Sequence, residues 1–301
     1  MSGMPEVMLR AVTGPIRVST LHGTVLPHER LRTDLRWAVG IDSDPHRWLD
    51  EEQAVTAELR DLRQSDQLGL VVELSCIGTG RDAASLVRIS SGSRVPVIAA
   101  TGLFAEPFVQ AGDADVEELT SRLMFEITSG LDGTGVFPGV IGAVGCWGAT
   151  PTAVEERCLV AAARASLSSH LPIATHGQDG LGLLEILIGE GVPGSRISVS
   201  YTGDDVAVAR KLAEAGAYVA LTSIGGADPL PLALGLLADG LGDRILLSSG
   251  VSRVAQIQRY AGPGYAHLYH LLLPRLREAG VAEEQITAIT RDNPLRWLSG
   301  S

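Results

Sequence analysis

Residues 139–166 read GVIGAVGCWGATPTAVEERCLVAAARAS. The stretch opens on a short apolar, partly β-branched run, passes through a turn containing Gly, Thr and Pro, and continues into an alanine-rich amphipathic segment. That is the pattern of a strand, a turn and a covering helix. The run at 139–145 lacks strict apolar/polar alternation, which suits a parallel strand covered on both faces. The same rhythm recurs on either side. Further strand candidates are HGTVLP (22–27), LGLVVELSC (68–76), VPVIAATG (95–102), LPIATH (171–176), SRISVSY (195–201), AYVALTS (217–223) and DRILLSSG (243–250). Helix candidates between them include LDEEQAVTAELRDLRQ (49–64), DVEELTSRLMFEITSGL (115–131) and GDDVAVARKLAEAG (203–216). Eight strand-then-helix units in 301 residues fit a single (β/α)8 TIM barrel better than a doubly wound sheet. The latter would want a GxGxxG or GxxxxGK[ST] turn after an early strand, and neither is present.

The whole chain, 1–301, reads as one domain. Residues 1–21 predict a β-ribbon around a Gly-Pro turn that plugs the barrel floor, 22–250 the barrel core, and 251–301 two closing helices. Pro274 lies inside an apolar run of the first closing helix and predicts a kink.

Composition narrows the function. A formal charge of -11 and a pI of about 5.1 repel a phosphate backbone, so nucleic acid is not an expected partner. No apolar run reaches the length of a membrane helix, and the first residues lack the apolar core of a signal peptide. Three cysteines cannot make a disulfide framework. The expectation is a soluble, cytoplasmic protein acting on a small molecule. Lys211 is the only lysine among 24 basic residues, and it sits in a polar helix pattern far from any strand end, which argues against Schiff-base chemistry.

A barrel carries its chemistry at the C-terminal ends of the strands. Those positions hold His28, Glu29, Arg30, Glu73, Ser75, Cys76, Thr101, Ala143, Cys146, Trp147, Thr175, His176, Tyr201, Thr222, Ser223, Ser248, Ser249 and Gly250. Here the sequence resembles the phosphotriesterase family of the amidohydrolase superfamily. The resemblance runs through GTVLPHERLRTDLRW (23–37), VELSCIGTGRDAASLVRIS (72–90), VIAATGLF (97–104), residues 139–166, PIATHG (172–177), GPGYAHLYHLLLPRLREAGV (262–281) and ITAITRDNPLRWL (286–298). It implies a (β/α)8 hydrolase of phosphotriesters, lactones or related esters, commonly homodimeric, with two divalent metals, usually zinc. It further implies metal ligands from an HxH segment, from a carboxylated lysine or glutamate ending the fourth strand, from histidines ending the fifth and sixth, and from an aspartate ending the eighth.

Carried across, His28 and His176 match, whereas the other four positions fall on Arg30, Ala143, Tyr201 and Gly250. A guanidinium cannot coordinate a metal, and neither alanine nor glycine has a side-chain donor. The expected centre is therefore metal-free. His28, His176, Tyr201 and Cys146 are the catalytic candidates, and Arg30, Trp147, Glu73 and Ser249 the substrate-binding ones. Arg30 suits a carboxylate or phosphate through a bidentate pair. The leading expectation is a metal-independent acid–base enzyme of isomerase, lyase, cyclase or hydrolase type, acting on a small anionic or ester-like metabolite. Two alternatives stand beside it. One is a non-catalytic binding protein that kept the fold. The other is a hydrolase with one zinc held by His28 and His176, joined by Cys146, Glu73 or Cys76. Arg81 and Asp82 read as a pair or a helix cap, His267 and His270 fall on a helix pattern, and His22, His46 and His170 have no motif around them.

Overall fold

The computed structural model describes residues 6–36, 47–65 and 67–300. An antiparallel ribbon, β1 (Met8–Ala11) and β2 (Gly14–Arg17), leads to the first barrel strand, β3 (Thr24–Glu29). After it a short antiparallel pair, β4 (Thr33–Asp34) and β5 (Trp48–Leu49), closes an excursion. The remaining barrel strands are β6 (Leu68–Glu73), β7 (Val97–Thr101), β8 (Val140–Gly145), β9 (Ile173–His176), β10 (Ile197–Ser200), β11 (Tyr218–Thr222) and β12 (Ile245–Ser248). All eight are parallel in the order β3-β6-β7-β8-β9-β10-β11-β12, and the chain is a TIM barrel. Every strand expected from the sequence is present. The first runs on to Glu29, past Pro27, which has no N–H to give the ladder; the register with β6 shifts between Leu26 and Glu29.

Two apolar layers hold the barrel. Leu70, Val72 and Leu74 point into the interior with Val25, Ile98, Val140, Ala143 and Ala174, while Val71 between them faces the helices. That is the period of two expected of a strand covered on both sides. The floor is closed from both ends of the chain. Leu9 of the ribbon and Leu295, Trp297 and Leu298 of the helix Asn293–Ser299 join the interior cluster. Trp297 is fully buried and donates its indole N–H to Arg196 O at 3.2 Å.

The ladder stops short of joining β12 to β3, and side chains stitch that seam at the mouth. Ser248 Oγ accepts from His28 N at 3.1 Å and donates to Glu29 Oε1 at 2.7 Å. Glu29 also accepts from Gly250 N at 2.9 Å and Val251 N at 2.7 Å, and Arg30 N donates to Val251 O at 2.9 Å.

The helices start on side-chain caps. Asp82, Asp115, Asp179, Asp205 and Asp228 each accept from a backbone N–H in the first turn of the helix that follows. Asp82 thus caps Ala83–Ser93, as its position suggests, but Arg81 does not pair with it. Arg81 reaches Glu126 and Asp132, each at 2.6 Å. Thr152 and Glu155 form a capping box on the helix Ala153–Ser169. Thr152→Ala is expected to cost about 1 kcal/mol, read as a lower midpoint in urea denaturation; an unchanged midpoint would show the cap to be idle. Lys211 is exposed on the helix Val206–Glu214.

The kink expected at Pro274 takes another form. Residues Leu268–Leu272 make one wide π turn, and Pro274 then lies in the first turn of the helix Leu273–Glu278. The same device recurs with Ala288–Asp292 before Pro294. In both places the α-helical hydrogen bond that proline cannot donate is not required.

Candidate active site

At the C-terminal ends of the strands a pocket of about 330 Å³ opens between β3, β9, β10, β11 and the loops after β7, β8 and β12. Its walls include His28, Glu29, Arg30, Phe104, Trp147, His176, Ser200, Thr202, Thr222, Ser252 and Gln256. Four residues singled out from the sequence therefore meet in one place: His28, Arg30, Trp147 and His176.

Phe104 organises them. Its ring stacks on His176, with centroids 4.9 Å apart and planes inclined by 29°. The Arg30 guanidinium lies 5.1 Å from the centre of the same ring. Trp147 stands edge-on to Phe108 at 4.6 Å and forms the outer part of this aromatic wall. Its backbone N–H is held by Glu155 Oε1 at 2.9 Å, the carboxylate that completes the capping box. Phe104 escaped the sequence reading because it lies three residues beyond β7. Its only signal is its place at the end of VIAATGLF.

The electrostatics follow from burial. The His28 imidazole is lowered to about 3, first by burial and then by Arg30 and His176; His176 is lowered to about 4 by burial and Arg30. Both rings are neutral at pH 7 in the open pocket, so they accept protons rather than supply them. Neither ring makes a side-chain hydrogen bond among the described residues. Arg30 is 8% exposed, and Nη1 donates to Leu74 O at 2.9 Å and to Ser75 Oγ at 3.4 Å. No carboxylate lies within 4 Å of its guanidinium nitrogens among the described residues. Glu29, also in the wall, is pushed up to about 7 because burial outweighs its hydrogen bonds from Ser248, Gly250 and Val251.

Four other candidates do not face the pocket. Tyr201 lies just past the end of β10 and packs in the layer between strands and helices. Its hydroxyl donates to Asp205 O at 3.1 Å and accepts from Asp205 N at 3.2 Å, and Ser200 takes the pocket side. Cys146 is buried in the same outer layer, its thiol 3.5 Å from Gly148 O and its pKa raised by burial. Glu73 is fully buried and accepts from Leu31 N at 3.3 Å and Ser75 N at 3.1 Å. Ser249 Oγ donates to Tyr265 O at 2.7 Å and accepts from Leu268 N at 3.2 Å, which pins the segment after the barrel. Of the remaining histidines, His267 Nδ1 lies 2.9 Å from Ser223 Oγ and His170 Nδ1 lies 3.1 Å from Arg196, while His46 lies outside the described residues.

The two-metal centre implied by the resemblance does not fit this donor set. Among the described residues no group of three or more His, Cys, Asp or Glu side chains converges to hold a metal ion. Cys76, a further candidate ligand, is buried with Sγ 3.4 Å from Ala143 O, and its thiol is pushed up to about 12 by burial. Ala143 itself is fully buried in the interior cluster.

No helix of the described residues is long and apolar enough to cross a membrane. Compared with known proteins, the chain is similar to the phosphotriesterase homology protein of Escherichia coli (strain K12), 30% identical over 289 residues that cover 92% of this chain and 98% of that protein. A crystal structure of the Escherichia coli phosphotriesterase homology protein, complexed with phosphate in its active site, superposes with a TM-score of 0.86 at 28% identity, covering 92% of this chain and 98% of that one. The N-acetyltaurine hydrolase of Homo sapiens is 26% identical over 276 residues, 83% of this chain and 78% of that protein. The phosphotriesterase family matches residues 7–298. On that match over nearly its whole length, this chain belongs to the phosphotriesterase family.

Proposed function

We propose that the protein is a metal-independent acid–base enzyme acting on a small anionic or ester-like molecule bound in the barrel mouth. The observation that carries the reading is Arg30, a buried guanidinium in a pocket wall with no carboxylate within 4 Å among the described residues. Its nearest compensating charge is Glu73, which acts on it without direct contact and is itself bound to Leu31 N and Ser75 N, so an anionic substrate group placed on the guanidinium supplies the direct ion pair it lacks. Phosphate and N-acetyltaurine, the molecules attached to the two relatives above, are both anions, which supports this choice of substrate class.

In this reading Arg30 orients the anionic group, Phe104 and Trp147 flank the substrate, and His28 and His176 accept a proton from it or from a bound water. Neutral imidazoles beside a fixed cation are poor acids while the pocket is empty. An anion at Arg30 offsets that cation and raises both imidazoles, so binding prepares them to return the proton. Ser200 and Thr202 make no side-chain hydrogen bonds among the described residues, and their hydroxyls are available to a substrate oxygen. For hydrolysis, a water deprotonated by one imidazole attacks the ester carbonyl, and the proton passes to the leaving oxygen.

The test is an assay of esters, lactones and phosphate esters bearing a free anionic group, run after exhaustive chelation. Activity is expected to persist under chelator and to fall by a factor of at least about 100 in His176→Ala. Activity that vanishes on chelation and returns with zinc would overturn the proposal.

A further inference from the structure

We infer that Arg30 stands in for the cations of a metal centre and, by its own charge, keeps divalent metals out of the mouth. The inference rests on the proposed function only in assigning Arg30 to the substrate anion. The exclusion of metal rests on the geometry alone.

His28 and Arg30 lie two residues apart at the end of the first barrel strand, and both line the pocket with His176 from β9. The Phe104 ring stacks on His176 with centroids 4.9 Å apart and carries the Arg30 guanidinium 5.1 Å from its centre, so one ring holds imidazole and cation side by side. It is fixed rather than mobile: Leu74 O and Ser75 Oγ hold Nη1, and Phe104 covers one face. A divalent ion bridging the two imidazoles would therefore sit beside an immobile positive charge, in surroundings that screen it poorly. It would also lack a third protein ligand, because the third position is the guanidinium itself, which has no lone pair to offer. One residue thus both withholds a ligand and supplies a cation. As a planar fork it can donate two parallel hydrogen bonds to a carboxylate, phosphate or developing oxyanion.

Two substitutions separate these roles: Arg30→His removes the charge and adds a third imidazole, whereas Arg30→Gln removes the charge alone. After dialysis against zinc and then metal-free buffer, the wild type is expected to carry zinc well below one per chain. Arg30→His should hold about one zinc per chain, the minimum set of three imidazoles being met, and lose it when His176→Asn is added. Arg30→Gln, with neither charge nor ligand, should hold none tightly and should bind inorganic phosphate at least about tenfold more weakly than the wild type in calorimetry, the effect of losing about 1.4 kcal/mol. Stoichiometric zinc in the wild type, lost in His28→Asn or His176→Asn, overturns the inference. So does a folded Arg30→His protein that takes up no zinc. Should Arg30→His fail to fold, the wild type alone still decides: the imidazole resonances of His28 and His176 should shift with inorganic phosphate and not with zinc, and a zinc-induced shift defeats the idea. Wild-type zinc exclusion in a protein without catalytic activity would defeat the enzymatic reading and leave this one standing.

Discussion

Glu29→Leu is expected to lower the free energy of unfolding by about 4 kcal/mol at pH 7. The Glu29 carboxyl receives Ser248 Oγ, Gly250 N and Val251 N across the one seam of the barrel that the strand ladder leaves open. Leucine has a similar reach and no acceptor. It strands those donors out of water, each at a cost of about 1–3 kcal/mol before relaxation. Glu29→Gln separates charge from acceptor. Its amide oxygen can keep Ser248 and Gly250, but its NH2 must then face the Val251 N–H, so a loss of about 1–2 kcal/mol is expected. Urea denaturation of the three proteins at matched pH gives the comparison. A Glu29→Leu protein as stable as the wild type would show that the seam is closed by packing alone.

The second large effect is a reversal in pH dependence. The folded values of His28 and His176, about 3 and about 4, lie below the ordinary 6.5. Between those values the unfolded chain binds protons that the folded one refuses, so stability is full above 6.5 and is lost as pH falls. At about 1.4 kcal/mol per pKa unit, the two imidazoles together withdraw about 6 kcal/mol between pH 7 and pH 4. Glu29 runs the other way. Its folded value of about 7 lies above 4.5, so the folded state takes up a proton first and gains about 3 kcal/mol over the same fall in pH. Together the three groups leave a net acid loss of about 3 kcal/mol and a maximum near pH 7. In His28→Asn/His176→Asn the same set leaves only the Glu29 gain, and the acid-side slope of the profile changes sign. Stability measured from pH 4 to 7 for both proteins, with the profiles subtracted, isolates the imidazoles. Superimposable profiles would mean that these rings titrate near 6.5 in the folded state.

The barrel was legible because each strand is covered on both sides, so its apolar run is short, unbroken and bounded by turn residues; that pattern survives any choice of loop. The residues at the strand ends were harder. His28, Arg30, Trp147 and His176 could be placed by position along the chain alone. Tyr201, Cys146 and Ser249 each lie one residue past the last ladder position of their strands, two residues after Val199, Val144 and Leu247, which pack outward, so alternation already turns them from the interior. Their partners on that side are Asp205, Gly148 and Tyr265. Glu73 follows the same rule. Leu70, Val72 and Leu74 alternate inward, so the period of two already sets Glu73 on the other face. Phe104 and the seam role of Glu29 depend on contacts between segments far apart in sequence, which no local pattern encodes.

The barrel floor bears on how the molecule is made. Leu9 shares its cluster with Leu295, Trp297 and Leu298, nearly the whole chain away. During synthesis the early strands can pair as they leave the ribosome, but the interior stays open to water at one end until Trp297 has emerged. The ribbon then waits, partly unburied, for its partner. Ribosome-bound chains should accordingly remain sensitive to protease until the last helix is free, and a chaperone that shelters the open end would act before that moment rather than after it.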